Sequence, residues 1–336
     1  MNAHRFDALA ARYAALRIVV VGDICLDRYL EIDPARAETS IETGLPVHNV
    51  VDVRAQPGGA GTVVANLAAL GVGRIDLVGY CGDDGEGYEL RRALQRLPGA
   101  CMDYFFSAEA RRTFTYCKPL LMEADGPREL SRFDSKNWSP TPPQLSMRLA
   151  EGVDALAAQA DAVIALEQTD RAETGAITQA VLDALARLAH QRPDVPVLAD
   201  SRRGLSTFPP LNFKMNGAEL AALIGAPTLP DRPELQAAVA AWARRCGRST
   251  FVTLAEDGMV AADADGALCQ VPALPLRGPI DIVGAGDSVT ANLAAVLAAG
   301  ATTEEACRIA MAAASHTVHQ LGTTGAASVA DIRALL

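Results

Sequence analysis

Lysine is nearly missing from this 336-residue chain: Lys118, Lys136 and Lys214 stand alone, and arginine supplies the other positive charges. A direct clamp on a phosphate is therefore expected from arginine or from backbone amides. The lysine-bearing phosphate loop Gly-x-x-x-x-Gly-Lys-Ser/Thr is absent. So are the His-Arg-Asp and Asp-Phe-Gly elements of protein kinases and the Gly-x-Ser-x-Gly elbow of hydrolases. The glycine turn at 58–61 lacks the dinucleotide fingerprint and follows an exposed segment, which weakens a Rossmann oxidoreductase reading. Net charge is −10, so no broad nucleic-acid surface is expected, although a local positive site for a small phosphorylated molecule is compatible with it.

Close cysteine pairs are missing too. The cysteines at 25, 81, 101, 117, 246, 269 and 307 are dispersed and odd in number, and the five histidines are also scattered. They read as reduced, mostly buried small residues, without a structural zinc site. Met1 to Arg17 carries Arg5, Asp7, Arg12 and Arg17 and has no long apolar run, and Ile18 to Val21 is too short to span a bilayer. The expectation is a cytoplasmic protein with no membrane partner.

What is present is strand–helix alternation. Residues 1–16 read as a helical extension, and Ile18 to Val21 as a buried strand ended by Gly22-Asp23. Residues 29–56 turn polar and contain Pro34 and Pro46, which suggests exposed strands and turns. Pro57 to Gly61 is read as a turn before a small-residue helix from Thr62 to Leu70, with Gly71 as its cap. Tyr104 to Phe106, Thr113 to Leu121 and Arg132 to Asp134 read as further strands. The expected organisation is an α/β core of 1–28, 57–101 and 136–336, with 29–56 and 102–135 forming a small β lid. Beyond residue 136 strands and helices alternate, with a hairpin around Asp265-Gly266.

The most informative segment is Asp281-Ile282-Val283-Gly284-Ala285-Gly286-Asp287-Ser288, followed by an apolar helix. Glycines permit a tight turn and close approach of an anion, and the free amides of the helix start would face it. Asp287 then lies where it could take the proton of an attacking hydroxyl. The plain alternative is a capping aspartate. Asp287 is expected to be a weak base, weakened further by the helix N-terminus. Asp23 can hold a ligand or cap a turn, and Asp27 can do so or pair with Arg28. Arg132 and Asp134 can form a lid ion pair. Arg202 and Arg203 can reach phosphates or lie on the surface, and His316 and His319 can simply pack.

Four ordered segments resemble the ribokinase-like, or PfkB, family of carbohydrate kinases. They are Val21 to Tyr29, Pro57 to Gly71, Asn216-Gly217-Ala218-Glu219, and Asp281 to Asp287. The first two look most like the kinase module that acts on a heptose 7-phosphate in bacterial envelope biosynthesis. The resemblance covers about residues 17–335. It implies a doubly wound sheet with helices on both faces and a small β lid, with ATP and magnesium as cofactors. It places Asp287 as the base and Gly284, Ala285 and Gly286 as the anion hole. Asp23, Asp27, Gly58, Gly59 and Thr62 fall on the sugar side. Asn216, Glu219, Thr253, Gly258, Met311 and Gly322 fall on the nucleotide side, with Glu219 meeting magnesium through water. It also leaves room for a monovalent cation near the Asp281 to Gly286 loop and for a homodimer formed through the lid.

The chain departs from the pattern in four places. Thr62 stands for an asparagine, and the stretch Ala37 to Pro46 lacks the Arg-Ile-Ser-Pro-Glu run; both bear on the sugar. Ala255 stands for a glycine and Met311 for an asparagine; both bear on the nucleotide. The expected function is ATP-dependent phosphorylation of a hydroxyl on a sugar or sugar phosphate. A nucleoside kinase is the nearest alternative, and a noncatalytic metabolite-binding protein on a kinase fold is the alternative of a different class.

Overall fold

The computed structural model describes residues 3–336, so residues 1 and 2 of the expected helical extension lie outside the described residues. The chain enters through α1 (Ala3–Ala10), which buries Phe6 and Leu9, and forms β1 (Arg17–Gly22). After Asp23 it continues as β2 (Ile24–Ile32) in a second sheet. The short strands β3 (Glu38–Thr39) and β4 (Pro46–Val47) pair with each other, and β5 (Val50–Gly59) returns antiparallel along β2. Next come α2 (Ala60–Ala69), β6 (Arg74–Gly82), α3 (Gly85–Leu94) and β7 (Ala100–Ala108). β8 (Thr115–Glu123) and β9 (Gly126–Glu129) rejoin the second sheet. The remainder alternates through α4 (Pro143–Ala157), β10 (Ala162–Glu167), α5 (Gln179–Gln191), β11 (Val197–Ser201) and β12 (Asn212–Asn216). It continues with α6 (Gly217–Ile224), α7 (Arg232–Cys246), β13 (Thr250–Thr253), β14 (Met259–Ala262) and β15 (Leu268–Val271). The chain closes with α8 (Ala285–Ala298), α9 (Thr303–Thr317) and α10 (Val329–Arg333).

The main sheet has the order β15-β14-β13-β12-β11-β10-β1-β6-β7. It is parallel from β7 to β13, while β14 and β15 are antiparallel. Its central strands are continuous apolar runs because both faces are covered. Side chains alternate across the pleat. In β1, Ile18 and Val20 pack into the core under α2, α8 and α9, and Val19 and Val21 into the core under α4, α5 and α7. From β1 the chain winds outward to β6 and β7, then resumes at β10 on the other side. The strand order therefore reverses at β1, and in such sheets ligands collect beyond the carboxyl ends of the strands at that crevice.

The small sheet has the order β5-β2-β8-β9. It differs from the expected lid in its boundaries. β7 hydrogen-bonds to β6 from Ile75↔Ala100 to Gly82↔Ala108 and buries Phe105, so residues 102–108 belong to the main sheet. Sequence reading missed this because an edge strand is half-exposed and reads like a lid strand. At the other boundary, residues 24–28 and 57–59 are lid strand, so Pro57 to Gly59 extend β5 and the helix begins at Ala60. Arg132 to Asp134 form no regular strand, although Phe133 N donates to Cys117 O at 3.0 Å beside the bridge Thr115↔Ser135, so the stretch runs along β8.

Candidate active site

The carboxyl ends of β1, β10, β11 and β12 and the start of α8 meet at the crevice. Gly284 caps α8 at φ 82°, a left-handed conformation suited to glycine. Ser288 N donates to Gly284 O at 2.9 Å, closing the first turn. Of the expected anion hole, the Ala285 amide is already committed to Ile282 O at 3.2 Å, whereas the amides of Gly286 and Asp287 precede the first full helical hydrogen bond and are available to an anion. Asp287 is half-buried. Burial pushes its carboxyl up to about 7, Asp200 and Asp27 push the same way, and Lys214 opposes them. The expectation of a base weakened by the helix start is reversed in direction, because burial and two neighbouring carboxylates raise the carboxyl.

Asp200 and Lys214 were not singled out from sequence. They rise from adjacent strands β11 and β12, and Lys214 Nζ lies 2.8 Å from Asp200 Oδ2. Thr290 of α8 donates to the same oxygen at 3.0 Å. Burial disfavours the Lys214 charge, but Asp200, Glu219 and Asp287 prevail and raise its pKa. One signal was available in the sequence: a lysine inside the apolar run Phe213-Lys214-Met215 needs a buried partner.

Asn216 and Glu219 form a reciprocal capping box on α6. Glu219 N donates to Asn216 Oδ1 at 2.9 Å, and Asn216 N to Glu219 Oε2 at 2.7 Å. Glu219 is half-buried, and burial raises its pKa. The charges of Asp200, Lys214 and Arg202 reach it, which puts it beside the same cluster.

On the sugar side, Asp23 is buried and accepts three amides: Gln168 N at 2.7 Å, Thr169 N at 3.1 Å and Ala176 N at 2.6 Å. It organises the loop after β10, which is its turn-capping reading. Burial still raises its pKa despite these bonds. Asp27 is buried on β2, and Lys118 Nζ stands 3.4 Å from its Oδ1. Burial raises its pKa, against Lys118 and Arg132. It does not pair with Arg28, which instead grips Glu89 through two 3.0 Å bonds. A Cβ on Gly58 would lie 2.6 Å from Asp27 Oδ2, and one on Gly59 2.7 Å from Asp23 O, so these glycines make room for both aspartates. Thr62 is buried at the start of α2, its hydroxyl 3.5 Å from Pro57 O.

The remaining positions, expected on the nucleotide side, lie on separate elements. Thr253 ends β13 with its hydroxyl 3.4 Å from Met215 O. Gly258 makes the turn into β14 at φ 86°, and Met311 is buried in α9. Gly322 N donates to Asp281 Oδ2 at 3.1 Å, while Val283 N takes Asp281 Oδ1 at 3.0 Å. Arg203 bonds the buried Glu167 at 2.9 Å, which Ser201 also meets at 2.6 Å, so this arginine is committed to structure. Arg202 instead donates to Tyr116 OH at 2.9 Å. Arg132 and Asp134 do pair, at 3.3 Å. His319 accepts from Arg277 N at 2.9 Å, and His316 bonds Gln320.

All seven cysteines are free; Cys101, Cys246 and Cys269 are half-buried and the other four buried. Among the described residues no three His, Cys, Asp or Glu side chains gather as a metal-ligand set, and no helix is long and apolar enough to cross a membrane.

The model of the pfkB family carbohydrate kinases matches residues 15–330. The chain belongs to that family. It is 34% identical over 334 residues to the bifunctional protein HldE of Rhodospirillum rubrum, covering 97% of this chain and 63% of that one. It is also 34% identical to HldE of Azorhizobium caulinodans, covering 95% of this chain and 64% of the relative. The chain thus spans slightly less than two thirds of these curated relatives. The fold is that of the tetrameric inhibited form of phosphofructokinase-2 from Escherichia coli, with TM-score 0.72, 20% identity and coverage of 95% and 98%. It is also that of Arabidopsis thaliana ribokinase complexed with ribose and ATP, with TM-score 0.68, 23% identity and the same coverage. This member of the pfkB family has the doubly wound, ribokinase-like fold expected from its motifs.

Proposed function

We propose that this pfkB-family kinase transfers the γ-phosphoryl group of ATP to a hydroxyl of a phosphorylated sugar, with a heptose phosphate as the leading acceptor. The observation that carries the catalytic part is Asp287. It sits in the first turn of α8 behind the Gly284 turn, where burial first, and then the charges of Asp200 and Asp27, push its carboxyl up to about 7. A carboxylate titrating there accepts a proton far better at neutral pH than an ordinary aspartate. Asp27, which packs against Gly58, holds the acceptor hydroxyl toward it. The Gly286 and Asp287 amides face the transferring phosphoryl group and stabilise its charge. Asp23 supports the acceptor side by fixing the loop from Gln168 to Ala176.

Magnesium, bound with the nucleotide, would neutralise phosphate charge. Glu219 fits as a water-mediated contact, since this ion keeps much of its hydration and binds through few carboxylates plus substrate phosphates. Asp281 already accepts two amides, so a monovalent cation beside its loop would draw on backbone carbonyls instead.

The preference for a phosphorylated acceptor rests on the lid. Arg132 lies 4.8 Å and Lys136 5.8 Å from the Tyr116 ring centre, and Arg202 bonds the hydroxyl of the same ring. Asp134 offsets part of this charge through Arg132 at 3.3 Å, and Asp170 through Lys136 at 2.6 Å and Arg202 at 3.9 Å. Two arginines and a lysine around one aromatic ring suit a phosphate group. A panel of sugars, sugar phosphates and nucleosides with ATP and magnesium tests the reading. Turnover confined to nucleosides would select the nucleoside kinase, and tight ligand binding without ATP turnover would select the noncatalytic protein.

We further propose that the lid is covered by a second copy of the chain. Ile41, Leu45, Val50, Val51 and Val53 are exposed on it, a large apolar group for a monomer surface. Light scattering that finds a monomer at assay concentration would oppose this. Free cysteines and dependence on ATP suit the cytoplasm.

A further inference from the structure

Gln56 lies on β5, one residue before Pro57-Gly58-Gly59, and nothing above gives it a role. Its amide bridges to the far end of the chain. Nε2 donates to Thr324 Oγ1 at 3.0 Å, and Thr323 Oγ1 donates to Oε1 at 3.3 Å. The loop it grips packs on the anion turn: a Cβ on Gly284 would lie 3.2 Å from both Cα and Cβ of Thr324. Gly322, in the same loop, is tied to Asp281. On its other side Gln56 is the ladder partner of Asp27. Its Nε2 is also 3.5 Å from Tyr29 OH, which accepts from Lys118 Nζ at 3.3 Å, the ammonium facing Asp27. One half-buried amide thus joins the strand beside the acceptor carboxylate to the loop braced against the phosphoryl-side turn.

We propose that Gln56 is a positioning residue that latches the lid to residues 322–325 and thereby sets the Gly284 turn at its distance from Asp27. This rests on the kinase reading for its catalytic meaning, but the latch itself is a property of the ligand-free chain. The lid and the turn come from opposite ends of the sequence, and a short polar contact is the cheapest way to fix their spacing. Geometry at this scale matters because small misplacement of reacting groups slows transfer steeply.

The test uses the full chain with Gln56→Ala, Thr324→Val and the double variant. Amide hydrogen exchange is measured without ligand. Binding of the magnesium complex of a nonhydrolysable ATP analogue is measured by calorimetry. Gln56→Ala should lose protection at 321–325 and also at 284–287, two segments remote from it in sequence. Thr324→Val keeps the side-chain size and should give the same pattern. Analogue affinity should fall about threefold to tenfold in each, the scale of one net hydrogen bond, with the double variant no worse than either single. Faster exchange confined to β5 in Gln56→Ala would overturn the latch, and so would additive losses in the double variant. If the unsubstituted protein fails to bind the analogue, the kinase reading fails while the exchange pattern still decides the latch.

Discussion

Replacing Asp287 by asparagine tests burial, charge and chemistry together. The substitution keeps the size of the side chain and removes its proton equilibrium. A carboxyl moved from 3.8 to about 7 resists ionisation by about 4 kcal/mol at about 1.36 kcal/mol per unit. Through linkage this shift is the largest stability change that the proton can carry across the window between 3.8 and about 7. The sign follows from proton binding. The folded chain keeps this proton up to about 7 and the unfolded chain only to 3.8, so the folded state binds more protons between the two. The contribution of Asp287 to stability therefore falls as pH rises through that window, and Asp287→Asn lacks that fall. Urea unfolding across the window should show the variant gaining on wild type with rising pH. Single-turnover transfer by the same variant should be slower by roughly 10²–10⁴-fold, the usual contribution of a general base. The wild-type kcat/KM should climb to a plateau above about 7. A stability difference independent of pH would refute the buried-carboxyl argument, and near-normal transfer would refute the base.

Glu219→Gln should lower transfer in a way that recovers partly with added magnesium, whereas the Asp287→Asn defect should not; a magnesium titration of single-turnover rates separates them. Lys214→Met leaves the half-buried Asp200 without its 2.8 Å partner and should cost about 1–3 kcal/mol of stability, most of it restored by adding Asp200→Leu. Arg132→Ala with Lys136→Ala should raise KM for phosphorylated acceptors while leaving unphosphorylated ones nearly unchanged, and equal effects on both would remove the phosphate role from the lid.

Much of the fold could be read because its signals are local. Val19 to Val21 form a fully apolar strand, and the Asp265-Gly266 turn marks the β14–β15 hairpin. The turn into α8 was legible from Gly284-Ala285-Gly286-Asp287, since Gly284 takes a left-handed φ of 82° directly before the helix. Features that depend on distant contacts were not legible. Whether β7 joins the main sheet or the lid depends on pairing with β6. The roles of Asp200, Lys214 and Gln56 arise only when separate strands meet. The raised pKa of Asp287 was misjudged for the same reason, because its sequence neighbours reveal the helix start but not Asp200 and Asp27. Asn216 and Glu219 carry a second lesson: one motif serves as capping box and borders the charged cluster, so its spacing alone does not separate structure from chemistry.

The central claim is phosphoryl transfer to a phosphorylated sugar through Asp287. Its most direct measurement is transfer of labelled γ-phosphate from ATP to members of the acceptor panel, by wild type and Asp287→Asn side by side. The account predicts a labelled bisphosphate from at least one sugar phosphate with wild type, and its near-complete loss in the folded variant. Acceptors that bind without receiving label, or label transferred equally well by both proteins, would contradict it.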